Sequence, residues 1–136
     1  MTTALDAHLD RHSSTALGAF RILIGVLFTL HGTSKLIGWP DTGNGGAVPV
    51  GTWPFWWAGL IEAVVGVLLI LGLFARLAAL VGAGEMAFAY VTQHLPKGLL
   101  PIQNGGELAV LYLLAFLLIA FAGAGAFAVG RSRLDG

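Results

Sequence analysis

The sequence predicts an all-α, polytopic membrane protein built as a four-transmembrane-helix bundle. Three observations carry that reading. Of 136 residues, 57% are hydrophobic and 10% charged, with a mean hydropathy of +0.84, a composition foreign to soluble domains. Four apolar segments, at about 15–37, 53–74, 77–95 and 106–129, each approach the ~20 residues a helix needs to cross the hydrocarbon core. The alternating strands of ~10 residues that mark an outer-membrane barrel are absent, which leaves helices to satisfy their own backbone groups in lipid.

The first segment, Thr15 to Ile37, reads as a retained helix rather than a signal peptide. Arg21 interrupts its apolar core, Asp6 and Asp10 precede it, and no A-x-A-like cleavage site follows. Residues 1–14 are expected to form a cytoplasmic N-terminal segment. A Gly/Pro-rich loop, "GWPDTGNGGAVPVGT" from Gly38 to Thr52, leads to the second span, Trp53 to Phe74. "ARL", Ala75 to Leu77, allows only a tight hairpin into the third, Leu77 to Leu95. "PKGLLPIQNG", Pro96 to Gly105, connects to the fourth, Gly106 to Val129, and residues 130–136 are a short tail.

An even number of spans puts both termini on one side. That side would hold Arg11, Arg76, Arg131 and Arg133, with Arg21 near it, against Lys35 and Lys97 on the other. The positive-inside rule therefore expects a bacterial cytoplasmic (plasma) membrane protein with both termini in the cytoplasm.

Formal net charge is zero and the basic residues are scattered, so no nucleic-acid partner is expected. The chain has no cysteine, which removes disulfides, iron–sulfur ligation, c-type haem attachment and a thiol relay of its own. Redox chemistry would need a borrowed cofactor.

Ionisable residues inside spans cost ~2.5–3.5 kcal/mol each on insertion scales and normally face the bundle interior in pairs. Two layers follow from depth along the helices. Arg21, Glu62 and Glu85 are expected to form a structural ion network, two carboxyls sharing one guanidinium and one proton. Nearer the outer mouth, His31, Lys35, His94 and Glu107 form the candidate catalytic cluster, backed by Tyr90 or Tyr112 and roofed by the Gly38 to Thr52 loop. Such a set binds an anion or passes protons to a reduced cofactor; interfacial snorkelling accounts equally well for Lys35 and His94. No metal site is expected, because two histidines and one carboxylate lack ligand spacing on any one helix. Trp39, Trp53, Trp56 and Trp57, with Phe55, gather at the outer ends of the first two spans. They read either as an aromatic belt or, for Trp39, Trp53 and Trp56, as a wall for a planar quinone. Gly18, Gly25 and Gly32, with Gly59 and Gly66 around Glu62, mark close helix packing.

The motifs R-x9-H-G-x2-K (Arg21, His31, Gly32, Lys35), G-L-x-x-R (Gly72, Leu73, Arg76), His94 and N-G-G-E-L (Asn104 to Leu108) together resemble the DoxX family of small four-helix bacterial membrane proteins, across nearly the whole chain. The resemblance implies a redox neighbourhood, since that family is related to the large subunit of thiosulfate:quinone oxidoreductase. The expected role is a quinone-interacting or redox-associated membrane subunit, possessing no covalent cofactor and handling electrons from a reduced sulfur donor or partner protein. The competing expectation is a non-enzymatic anchor or scaffold for soluble redox or stress-response partners; the expected partners are the lipid bilayer and either another protein or further copies of the chain. Cysteine-pair chemistry of wider four-helix relatives does not carry over.

Overall fold

The computed structural model describes residues 3–130, which are helical with no strand among them. A short helix α1 (Ala4–Arg11) leads into the long α2 (Ser13–Ile37). Then come α3 (Phe55–Leu71), α4 (Ala75–Ala89), α5 (Pro101–Asn104) and α6 (Glu107–Ala122). Helix α4 runs on through a π turn, Tyr90–His94, and a 3-10 turn, Leu95–Lys97. The expected tail over 130–136 lies, apart from Gly130, outside the described residues, as do Arg131 and Arg133.

Helix α1 starts with a reciprocal capping box: Thr3 Oγ1 accepts from Asp6 N, and the Asp6 carboxylate accepts from Thr3 N. These bonds hold the Asp6 carboxyl below its ordinary range, because they favour the ionised form. Helix α2 follows after a break at His12.

Glycine contacts set the central pairing of α2 with α3. A Cβ at Gly25 would lie 2.8 Å from Gly66 O, and one at Gly32 would meet Ala63 N and, at 2.7 Å, Gly59 O. These backbones touch, as small residues permit. The contacts fix an antiparallel register in which residue numbers run in opposite directions from Gly25–Gly66 to Gly32–Gly59. On the other side α4 packs on α6 through small residues, Ala78, Ala79, Gly82 and Ala83, against Phe116, Ile119 and Ala120. The core between the two helix pairs is Phe28, Val65, Leu69, Met86, Tyr112 and Phe116.

Only α2, 25 residues long, passes as long and apolar enough to cross a membrane among the described residues; α3 and α6 are apolar but have 17 and 16 residues. The segment expected as a helix from Gly106 to Val129 stops at Ala122. Its hydropathy continues, but Gly123 and Gly125 take φ of 93° and 68°, a left-handed backbone that ends helices. Residues 123–130 instead fold back over the bundle end: Ala126 N donates to Ser14 O, Val129 N to Leu71 O and Gly130 N to Gly72 O.

Two arginines at this end cap helices. Arg21, 0% exposed, donates Nε to Leu69 O at 2.8 Å, Nη1 to Ala124 O and to Ala126 O at 3.0 Å, and Nη2 to Phe127 O at 3.0 Å. Arg76 Nη1 donates to Ala120 O and Phe121 O at 3.2 and 3.1 Å. A helix C-terminus leaves carbonyls without partners and carries partial negative charge. Arg21 answers this at α3, and Arg76 at α6. The expected pairing of Arg21 with Glu62 and Glu85 is therefore corrected: its guanidinium is turned to backbone carbonyls of α3 and the 124–127 segment.

Candidate functional site

The α2–α3 register that places Arg21 beside Leu69 places Lys35 beside Glu62 at the opposite end. Gly59 opens the space, since a Cβ there would sit 2.8 Å from Lys35 Cβ. Lys35 Nζ donates to both Glu62 oxygens, at 2.5 and 2.8 Å. Glu62 is 2% exposed, and a carboxylate that deep is held only by paired charge and hydrogen bonds.

Glu85 arrives from α4 and lines the same cavity as Glu62 and Lys35, close enough for both charges to be felt at its carboxyl. Glu85 Oε2 is sealed from solvent and has no donor among the described residues. The carboxyl pair thus shares one ammonium. The partner is not the one expected from sequence, where Arg21 had that role.

These groups line a cavity of about 450 Å³, a size suited to a small-molecule ligand. Its wall includes the aromatic rings of Phe28, Trp53, Phe55, Trp57, Phe88 and Tyr112. Trp53, just before α3, meets Phe88 of α4 edge to face at 6.2 Å between centroids, bridging the two helices at the cavity rim.

His31 lines the same space. Its Nδ1 is 2.9 Å from Leu27 O. A carbonyl only accepts, so Nδ1 carries the hydrogen and Nε2 of the neutral ring holds the lone pair. Tyr112 stands edge-on to the imidazole, centroids 5.5 Å apart, and stacks on Phe116 at 5.8 Å. With Nδ1 engaged at Leu27 O, the Tyr112 hydroxyl, 3.5 Å from Nδ1, keeps its hydrogen for another acceptor.

His94 also reaches the cavity, from the π turn that ends α4; such turns widen a helix and recur at functional positions. Its Nδ1 lies 3.3 Å from Asn104 O, which assigns the tautomer as for His31. Asn104, 3% exposed, organises this corner. Its Nδ2 donates to Tyr90 Oη and Gly98 O at 3.1 and 2.9 Å, and its Oδ1 accepts from Gly106 N at 2.8 Å. A Cβ on Gly106 would come within 2.8 Å of Asn104 Oδ1, His94 Cβ and Tyr90 Cδ2. The N-G-G run is therefore a packed turn, and Asn104, singled out in sequence only as the start of the N-G-G-E-L motif, is the residue that ties it together.

The structure thus brings His31, Lys35 and His94 to one cavity together with Glu62 and Glu85, merging the two expected layers. Glu107 is not with them: it is exposed in the first turn of α6, where its charge complements the positive helix end. Trp53 lines the cavity, whereas Trp39 stands 65% exposed away from it and Trp56 packs its ring against Trp57 at 4.9 Å. Trp57 is the second wall residue in place of Trp56. The loop over 38–52 contributes no lining residue; it is drawn back onto α2 by Val48 N donating to Lys35 O at 2.7 Å.

An all-helical chain with apolar outer faces, a Lys–Glu–Glu cluster around the buried Glu62 and an aromatic cavity is the class of a membrane-associated helical bundle with a ligand-sized interior. Residues 16–95 match the DoxX family model. A protein of Haemophilus influenzae described as uncharacterized is 46% identical over 125 residues, covering 90% of this chain and 93% of that one. No solved structure matches. The chain is a membrane protein of the DoxX family.

Proposed function

We propose that the chain crosses a bacterial plasma membrane four times, with both termini in the cytoplasm, and serves as a quinone-interacting subunit that receives electrons from a reduced sulfur donor or a soluble partner protein. The four-span part rests on the outer faces. Leu23, Leu27, Val64, Leu80, Leu114 and Leu118, from all four long helical segments, are exposed, a surface suited to lipid and a liability in water. The shorter α3 and α6 fit because Arg21 and Arg76 give carbonyls of their last turns side-chain donors from the protein itself, as irregular backbone at membrane depth requires.

The quinone part rests on one observation, the aromatic-walled cavity that Lys35, Glu62 and Glu85 also line. A quinone would supply a two-electron acceptor. Trp53, Trp57 and Phe88 flank a planar ring. Lys35 Nζ, two of whose hydrogens go to Glu62, retains a third for a ring oxygen. The Tyr112 hydroxyl offers another donor, and His31 Nε2 takes or returns a proton. A cavity of this size favours ligand handling over the purely structural anchor, whose interior would need no such space.

The test is quinone reduction by the purified chain in liposomes, with thiosulfate or sulfite as donor, alongside quenching of tryptophan fluorescence by the quinone. Trp57→Ala and His31→Ala should each lower turnover about tenfold or more, in the range that positioned acid–base groups contribute, and Glu107→Gln should leave it unchanged. Absence of both quenching and turnover would rule out the quinone role and leave the anchor reading.

A further inference from the structure

Two carboxyls, Glu62 and Glu85, line the cavity, and a single ammonium serves both. Every charged or titratable group around Glu85 can be named by element: Lys35 and His31 from α2, Glu62 from α3, His94 from the π turn after α4, and Tyr112 from α6. Lys97, in the 3-10 turn, lies at the cavity's lining too. Arg21, a fully buried cation, is bonded to carbonyls at the far end. Lys35 gives two hydrogens to Glu62, so Glu62 is the ionised member. Glu85 lies beside that carboxylate, and its Oε2, sealed from solvent, is reached by no donor among the described residues. Two like charges in contact, out of water, are costly, and a hydrogen between the two oxygens removes one charge and supplies the missing donor.

We propose that Glu62 and Glu85 hold one proton between them, and that Glu85, which lines the cavity, delivers it to an oxygen of the ligand head. The ammonium of Lys35 and the shared-proton pair then sum to zero charge, which is how an ion cluster persists in a low-dielectric interior. On delivery the Glu85 O–H bond breaks and an O–H bond forms on the ligand oxygen. The ligand's electrons come from the reduced sulfur donor, and its second proton from water entering past His94. The pair, left with two negative charges against Lys35, draws a proton back by the same route. The storage half does not depend on the quinone reading; the delivery half rests on it.

Infrared spectroscopy of the full chain in nanodiscs, without ligand and at neutral pH, tests storage. The expected result is a carboxylic-acid C=O band of one group per chain, shifted by deuterium exchange. Glu85→Gln should abolish it, because the remaining Glu62 is ionised by Lys35. Glu62→Gln should abolish it too, because Lys35 then ionises Glu85. Lys35→Met should raise it to two groups per chain. A wild-type chain with no such band, or a band that persists in Glu85→Gln, overturns the proposal. In proteoliposomes, Glu85→Gln should bind quinone, by tryptophan quenching, within threefold of wild type, while its reduction rate falls at least tenfold and loses its solvent isotope effect. A rate equal to wild type overturns delivery. A chain with the band but no quinone binding keeps the stored proton and removes the quinone.

Discussion

Lys35 Nζ lies 2.5 and 2.8 Å from the two oxygens of Glu62, a two-pronged contact between helices α2 and α3 that lines the cavity. Lys35→Met would leave Glu62, 2% exposed, without its cation, so that it is held as the neutral acid and the ion pair is lost. Breaking such a pair costs roughly 3 kcal/mol, the low end of the usual range because Lys35 keeps its edge in the cavity. Denaturation in detergent should show this loss. Lys35→Met with Glu62→Gln should recover most of it, since no ionisable carboxyl is then left at position 62 without its cation.

The α2–α3 contact that delivers this pair predicts a second result. Gly66→Ala would drive a methyl into Thr29 N at 2.6 Å and Gly25 O at 2.8 Å, backbone atoms that cannot rotate away. Overpacking of this kind costs about 1–3 kcal/mol, and here it should also separate Lys35 from Glu62. Gly84 is the control: a Cβ there meets nothing within 4 Å on the exposed face of α4. Gly84→Ala should stabilise by about 0.5–1 kcal/mol through helix propensity. Paired thermal melts check both signs.

The same glycines show how much was legible in the sequence. The stripe of Gly25 and Gly32 and the glycines flanking Glu62 were visible as a packing face. Combining Gly25–Gly66 with Gly32–Gly59 would have given the antiparallel register, and with it Lys35 beside Glu62 and Arg21 beside Leu69. Arg21 and Lys35 share one face of α2, so facing inward could not choose between them; register does. The carbonyl acceptors of Arg21 were hidden for another reason. They exist because Gly123 and Gly125 end α6 early, whereas hydropathy over 123–129 stays apolar and reads as more helix. Trp57 against Trp56, and Glu107 leaving the cluster, turned on helix rotation, which an aromatic or acidic residue at a helix start does not reveal.

At the N-terminal segment, pH dependence has a fixed sign. The Asp6 carboxyl is held low by hydrogen bonds to Thr3, so its contribution to α1 is fully present above the ordinary aspartate range. It is lost as pH falls through the lowered value. Helix α1 should therefore fray at acid pH, seen as loss of amide protection at Thr3 and Asp6 by NMR. Thr3→Ala should move the Asp6 titration upward.

Asn104 ties the turn before α6 to the end of α4 through Tyr90, Gly98 and Gly106. Asn104→Ala leaves the Gly106 N–H and Gly98 carbonyl without partners in a buried corner, at about 1–3 kcal/mol. Asn104→Leu, which fills the volume, should fare no better, because the missing element is a donor and an acceptor. Since Asn104 O positions His94, both variants should also alter the His94 imidazole NMR signals.

Arg21 separates structure from function. Its Nε and both Nη atoms are bonded to Leu69, Ala124, Ala126 and Phe127 carbonyls, and Gly72 leaves room, a Cβ there falling 3.1 Å from Arg21 Cζ. Hydrogen bonds from a charged donor contribute about 1.5–3 kcal/mol apiece, less than additively within one group. Arg21→Met should therefore cost roughly 3–5 kcal/mol and expose the 124–130 segment to protease. Arg21→Lys recovers little, because a single ammonium cannot address acceptors on α3 and the returning segment with the fork of a guanidinium. The cavity lies at the other end of α2, so the protein that remains folded at low temperature should bind ligand as wild type does. Loss of ligand affinity in the folded fraction, with unchanged stability, would instead place Arg21 in the charge network of Glu62 and Glu85.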